Sequence, residues 1–146
     1  MEIKKILCVC YGNSDRSPSM ASVLGMFLKN SGHDVVVESA GAGPSAKKGG
    51  TASIYALAAC RLIGLDIISH QRRHVSQLNL GEYDLIVATD DFVVALLLEQ
   101  GADIEKIYNA GVSNGQWPFK FQEDYNKVFQ QVLTAMFMVV TRYFTK

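Results

Sequence analysis

Ile6-Leu7-Cys8-Val9-Cys10-Tyr11-Gly12-Asn13-Ser14-Asp15-Arg16-Ser17-Pro18 runs from a short apolar stretch through a polar, glycine-containing loop into a helix start. The apolar residues suit a buried strand over 3–10. Ser17-Pro18 opens a helix over 17–29 that carries Met20, Val23, Leu24 and Phe27 on one face. A strand, a tight loop and a helix in that order put the loop where a buried strand ends and where a helix points its free N–H groups and positive dipole end. Anions bind at such places.

Outward from this unit the pattern keeps alternating. Strands are predicted at 35–40, 83–89 and 106–109, and helices at 51–63 and at 90–100, the latter capped by Asp90. A closing helix over 123–143 carries Val128, Val132, Ala135, Met136, Val139 and Val140 at helical spacing. Short apolar strands separated by helices imply an α/β fold: one three-layer domain over residues 1–146, with a parallel sheet covered by helices on both faces. The stretches 41–50 and 111–121 are rich in Gly, Ser, Asn or Pro and are predicted loops, long enough to carry function.

Composition narrows the function classes. The chain has 146 residues, 49% hydrophobic and 19% charged, enough for one buried core. Lys plus Arg and Asp plus Glu both number 14, so no global charge points to nucleic acid or to an anionic membrane, and any anion site must be local. The first apolar stretch is too short for a signal segment or a membrane span, and the expectation is a cytoplasmic protein. The three cysteines, Cys8, Cys10 and Cys60, show no metal-ligand spacing and read as free thiols, with neither metal nor cofactor expected.

Chemistry concentrates in residues 10–17. Gly12 and Asn13 tolerate positive φ, so successive backbone N–H groups can converge on a phosphate together with Tyr11, Ser14 and Asp15. Arg16 adds a planar, permanently charged fork matched to two phosphate oxygens. Cys10, at the base of the loop, lies in that positive potential, which favours the nucleophilic thiolate, and Ser17 can donate a hydrogen bond to it. The Cys-to-Arg spacing alone is weak; its place between a strand and a helix makes it specific. Cys8 and Cys60 read as core residues, and His33 and His74 as satisfied core or surface histidines.

The whole chain resembles the low-molecular-weight protein tyrosine phosphatases, whose loop reads Cys-x-Gly-Asn-x-x-Arg-Ser-Pro after the first strand. Cys10, Gly12, Asn13, Arg16, Ser17 and Pro18 match it, followed in order by Glu38-Ser39-Ala40-Gly41, Gly64-Leu65-Asp66 to Ser69-His70, and 83–90. The resemblance implies a four-stranded parallel sheet flanked by helices, and two-step phosphoryl transfer through a cysteinyl phosphate. It further implies a phosphorylated protein or small phosphomonoester as substrate, phosphate or sulfate as site ligand, and a buried network of Asn13, Ser39 and His70 that holds the loop.

Three departures stand out. The family's general acid lies in an Asp-Pro pair, but here the stretch reads Gln116-Trp117-Pro118-Phe119. Losing that acid costs about a hundred- to ten-thousand-fold if nothing replaces it; Glu123 and Asp124 are nearby, but fit a helix N-terminus better. Asp15 stands where a second Cys is common, and its carboxylate opposes a bound dianion unless it points outward. The aromatic usual after the second strand is replaced by Pro44-Ser45-Ala46, leaving Tyr11, Trp117 and Phe119 to rebuild the substrate rim. A pseudophosphatase that binds a phosphorylated partner without turnover would keep the loop and lack the acid, as here. Arsenate reductase would need further cysteines near the third strand, and none stands there.

Overall fold

Strand β1, Lys5–Cys10, is buried from Ile6 onward. In the computed structural model, which describes residues 2–145, it lies in the middle of a parallel sheet. The other strands are β2 (Val36–Gly41), β3 (Leu85–Ala88) and β4 (Ile107–Asn109), in the order β2-β1-β3-β4. The expected four-stranded parallel α/β fold is therefore present. Alternate β1 side chains face opposite layers. Ile6 and Cys8 join a core formed with α1 (Arg16–Asn30), α2 (Ile54–Arg61) and α4 (Gln122–Phe144). Leu7 and Val9 join a second core with Val93 and Leu97 of α3 (Asp91–Glu99).

This strand order positions the site. The chain leaves β1 for β2 on one side and returns to β3 on the other, so the connections after β1 and β3 diverge and leave a crevice at the carboxyl ends of these two strands. The loop after Cys10 and the Thr89-Asp90 turn both open into that crevice. Behind it α4, 23 residues long, buries Tyr125, Val128, Phe129, Val132, Ala135, Met136 and Val139 along one stripe. Its β-branched residues are weak helix formers, and burial of that stripe outweighs their propensity. Among the described residues no helix is long and apolar enough to cross a membrane.

Several boundaries differ from the sequence reading for local reasons. The second helix starts at Ile54, not at 51, because Ser53 accepts the Ala56 N–H as its cap. The third strand starts at Leu85; Asp84 before it donates its backbone N–H to the Lys5 carbonyl at 2.8 Å while its carboxylate accepts from the Lys4 and Lys5 backbone N–H groups. The stretch 41–50 is not all irregular: Pro44–Lys48 forms a 3-10 turn with Pro44 at its start.

Candidate active site

The loop from Cys10 to Arg16 turns on Asn13, which has φ 58 and is fully buried. A residue with a Cβ pays for that left-handed conformation unless its surroundings hold it there. Here they do. The Asn13 side-chain N–H groups donate to Ser17 Oγ at 2.8 Å and Ser39 Oγ at 3.0 Å, and its Oδ1 accepts the Arg73 backbone N–H at 2.9 Å. Its own carbonyl accepts from His70 Nε2 at 2.9 Å, so that nitrogen carries the proton. Burial, helped by the nearby Arg73 and Arg72, moves the His70 pKa below its ordinary value against the pull of that hydrogen bond. Gly12 does not use positive φ; it admits close approach, since a Cβ there would lie 3.1 Å from Ser45 Oγ.

Cys10 Sγ sits at the base of the loop, 3.0 Å from Ser17 Oγ and 3.2 Å from the Asn13 backbone N–H that points at it. Two donors can therefore stabilise negative charge on sulfur. Above it opens a cavity of about 560 Å³ that also reaches Tyr11, Gly12, Ser14, Asp15 and Arg16. Ser17 and Asn13 lie beneath the loop and do not line it. Arg16 is buried and anchored along one edge: its Nη1 donates to Asp90 Oδ2 at 2.8 Å and to the Val112 carbonyl at 2.9 Å. Burial would raise the Asp90 carboxyl, but the Arg16 and Val93 hydrogen bonds prevail and hold it below the usual range.

Asp15 behaves in the opposite way. Its carboxylate accepts from Ser53 Oγ at the start of α2 and makes no capping bond to α1. Burial pushes its carboxyl above the ordinary value, although Ser53, Arg72 and Arg16 all pull it down. Its backbone carbonyl is fixed as well, accepting from Tyr125 Oη at 2.8 Å and Ser19 Oγ at 2.9 Å. It neither points out to solvent nor pairs closely with an arginine, and it lines the cavity.

The rim differs from the sequence reading. Trp117 lines the cavity and is 61% exposed, and Tyr11 lines it too. Phe119 does not: its ring is turned inward against Tyr55 at 5.6 Å and Tyr125 at 5.2 Å, where an apolar face gains more than at the mouth. Asp124 caps α4 through the Phe121 N–H and, like Glu123, stands outside the cavity. Cys8 and Cys60 are core residues with thiols raised by burial. His74 is a buried structural residue bonded to Ser76 and the Ala42 carbonyl, and His33 lies against Phe144. Among the described residues no three metal-ligating side chains converge.

Sequence reasoning missed Asp90, Phe92, Arg72, Ser45 and Asn114 as cavity residues. The sequence marks Asp90 as a helix cap, which it is through the Val93 N–H, and as the end of the family-like stretch 83–90, but not as the partner of Arg16. Its place after the third strand was a usable signal, because loops at the carboxyl ends of neighbouring parallel strands share one crevice. Ser45 lies in the segment Pro44-Ser45-Ala46 that stands in the place of the rim aromatic; no sequence signal marks Phe92, Arg72 or Asn114.

Two outcomes follow from these contacts. His70→Ala removes the donor to the Asn13 carbonyl and should lower unfolding free energy by about 1–3 kcal/mol; calorimetry showing an unchanged melting temperature would count against the network. For Asp15, a native pKa above the unfolded value means that its contribution to stability is present below the unfolded pKa and is lost as pH rises through the folded value. Asp15→Asn should therefore melt higher than the natural protein at pH 7, with the gap closing towards pH 4, and should bind inorganic phosphate several-fold more tightly at pH 7; a lower melting temperature at pH 7 would show that the ionised carboxylate stabilises.

The family model described as low molecular weight phosphotyrosine protein phosphatase matches residues 5–135. No curated protein sequence matches significantly. Among solved structures, the low molecular weight protein tyrosine phosphatase from T. tengcongensis is 24% identical, with TM-score 0.83, 95% of this chain covered and 99% of that one. Vibrio vulnificus Wzb, solved with benzylphosphonate, is 24% identical with TM-score 0.79 and covers 97% and 99% of the two chains. The tyrosine phosphatase Wzb from Escherichia coli K30, solved with sulphate, is 22% identical with TM-score 0.76, covering 97% and 99%. At these identities the structures establish a shared fold, while the family match extends over β1 to α4 and includes the loop that cradles Cys10; the chain belongs to the low molecular weight phosphotyrosine protein phosphatase family.

Proposed function

We propose that the protein hydrolyses phosphomonoesters of the protein phosphotyrosine class in the cytoplasm, through a cysteinyl phosphate on Cys10 and with turnover weakened where the usual Asp acid is replaced by Trp117. One observation carries the reading: Cys10 Sγ, with donors at 3.0 and 3.2 Å, shares a cavity with Arg16 and the curled loop. In the first step Sγ attacks phosphorus, the P–O bond to the leaving group breaks, and that oxygen departs with a proton or as an anion. In the second, water attacks the phosphorus, the P–S bond breaks, and Cys10 leaves as thiolate stabilised by Ser17 and the Asn13 N–H. Loop amides and Arg16 hold the phosphate oxygens while charge spreads over them. Asp90 and Val112 set the angle of Arg16. The oxyanions bound to the two Wzb structures support phosphate or sulfate as site ligand here.

Proton supply distinguishes the first step. In the sequence Trp117 precedes Pro118 where an Asp is expected, and Glu123 and Asp124 stand away from the cavity. Asp15 and Asp90 are the carboxyls that line it among the described residues. Asp90 is committed to Arg16 as an anion, and Asp15 is engaged by Ser53. Leaving groups that depart as anions are thus favoured over tyrosine, whose phenol has a pKa near ~10. A second reading, a pseudophosphatase that holds a phosphorylated partner, is favoured by the same exposed Trp117 at the mouth.

Cys10→Ser should abolish turnover and keep phosphate binding, whereas Arg16→Ala should lose both; phosphatase activity that survives Cys10→Ser overturns the mechanism. The natural protein should hydrolyse nitrophenyl phosphate slowly and phosphotyrosine scarcely, and Trp117→Asp should raise phosphotyrosine turnover by the larger factor, within the range of about a hundred- to ten-thousand-fold for a positioned acid. Rates for both substrates across pH decide. If neither variant turns over either substrate while phosphate still binds, the pseudophosphatase reading takes its place.

A further inference from the structure

The mouth of the cavity contains an aromatic ring that the phosphate chemistry does not use. Phe92, in the first turn of α3, is 62% exposed and lines the same cavity as Cys10 and Arg16. Its ring stacks on Tyr11, with centroids 5.9 Å apart and planes inclined by 18°. Tyr11 lies close to backbone: a Cβ on Gly43 would lie 2.4 Å from its ring, and a Cβ on Gly41 2.7 Å from its backbone carbonyl. Both are glycines, so the tyrosine fits against them. Phe92 is thus supported by a side chain that is itself wedged, whereas Trp117 takes part in no aromatic pair among the described residues.

The position of Phe92 also couples it to the phosphate clamp. Asp90 holds Arg16 at 2.8 Å and, with its other oxygen, caps α3 through the Val93 N–H at 2.9 Å. Phe92 lies between those two anchored residues. The carboxylate that holds the guanidinium and the backbone that carries the ring thus belong to one short segment. Cys10, Arg16 and Phe92 line one cavity, so the leaving group of a phosphate held by the loop can reach that ring. An aryl group can lie against it; a short alkyl group cannot cover it.

Building on the phosphatase reading above, we infer that Phe92, backed by Tyr11, is the specificity-determining residue that makes this site prefer aryl over alkyl phosphates. It supplies from the β3–α3 turn the aromatic wall that the segment Pro44-Ser45-Ala46 lacks and that Phe119, turned into the core, does not provide. Because the ring is preorganised, little ordering cost is incurred when a planar group docks on it.

The test is direct binding, by calorimetry, of inorganic phosphate, methylphosphonate and benzylphosphonate to the natural protein, Phe92→Ala and Phe92→Leu. Phe92 is largely exposed, so both variants should fold, and their melting temperatures check it. The natural protein should bind benzylphosphonate more tightly than methylphosphonate. Phe92→Ala should weaken benzylphosphonate about five- to tenfold and leave the other two within about twofold; Phe92→Leu, which keeps apolar area without a flat face, should lie between. Equal losses for all three ligands, or none, would overturn the role of Phe92 and leave the phosphate site intact. No binding of any of the three by the natural protein would overturn the phosphatase reading and this inference together.

Discussion

The arrangement depends on one buried side chain held in an unfavourable backbone conformation. Asn13 adopts φ 58 without being glycine, and its amide spends both kinds of hydrogen-bonding capacity on neighbours, donating to Ser17 and Ser39 and accepting from the Arg73 backbone. An amide is suited to this because it offers two donors and one acceptor in a plane. Its partners come from β2, α1 and the segment before Val75, so the loop geometry depends on all three being packed together. Among the described residues no buried side-chain nitrogen or oxygen lacks a hydrogen-bond partner, so the cost of burying so many polar groups is met locally. The same bonds orient Ser17 beneath the Cys10 sulfur. Loop geometry and nucleophile environment are therefore one problem with one solution.

Charge around the cavity is balanced. Arg16 faces Asp90, and Arg72 lies near Asp15, so two cations and two carboxylates line one crevice. The carboxylates have opposite fates because of their partners: Asp90 receives strong donors and remains ionised, while burial dominates at Asp15. A guanidinium already paired with a carboxylate attracts a dianion less than a free one, but it is held at a defined angle. The site exchanges some affinity for geometry. Trp117, exposed at the mouth, adds apolar surface beside these charges.

The apolar surface at the mouth is arranged differently from that of the expected rim. Phe119 lies two residues from Trp117, yet its ring joins Tyr55 and Tyr125 inside, while Trp117 remains outside. The Tyr55 hydroxyl donates to the Phe119 carbonyl at 3.1 Å, which ties that segment to α2. With Phe119 drawn in, Tyr11 and Phe92 are the aromatic pair left beside the loop.

The sequence by itself determined the fold class, the order of strands and helices, and the loop that joins β1 to α1, because these rest on local signals: apolar runs of strand length, helical spacing, Ser-Pro at a helix start and glycine near a tight turn. Cys10 and Arg16 were legible because loop position and residue chemistry coincide within seven residues. Tertiary structure alone decided which distant residues complete the site. Asp90 meets Arg16 because β3 pairs beside β1; Arg73 and His70 reach Asn13 across 60 and 57 residues; Phe92 finds Tyr11, and Phe119 finds Tyr125. Each of these contacts joins segments far apart in the chain. Their formation depends on strand order and on competition for buried space, quantities that no stretch of sequence carries locally.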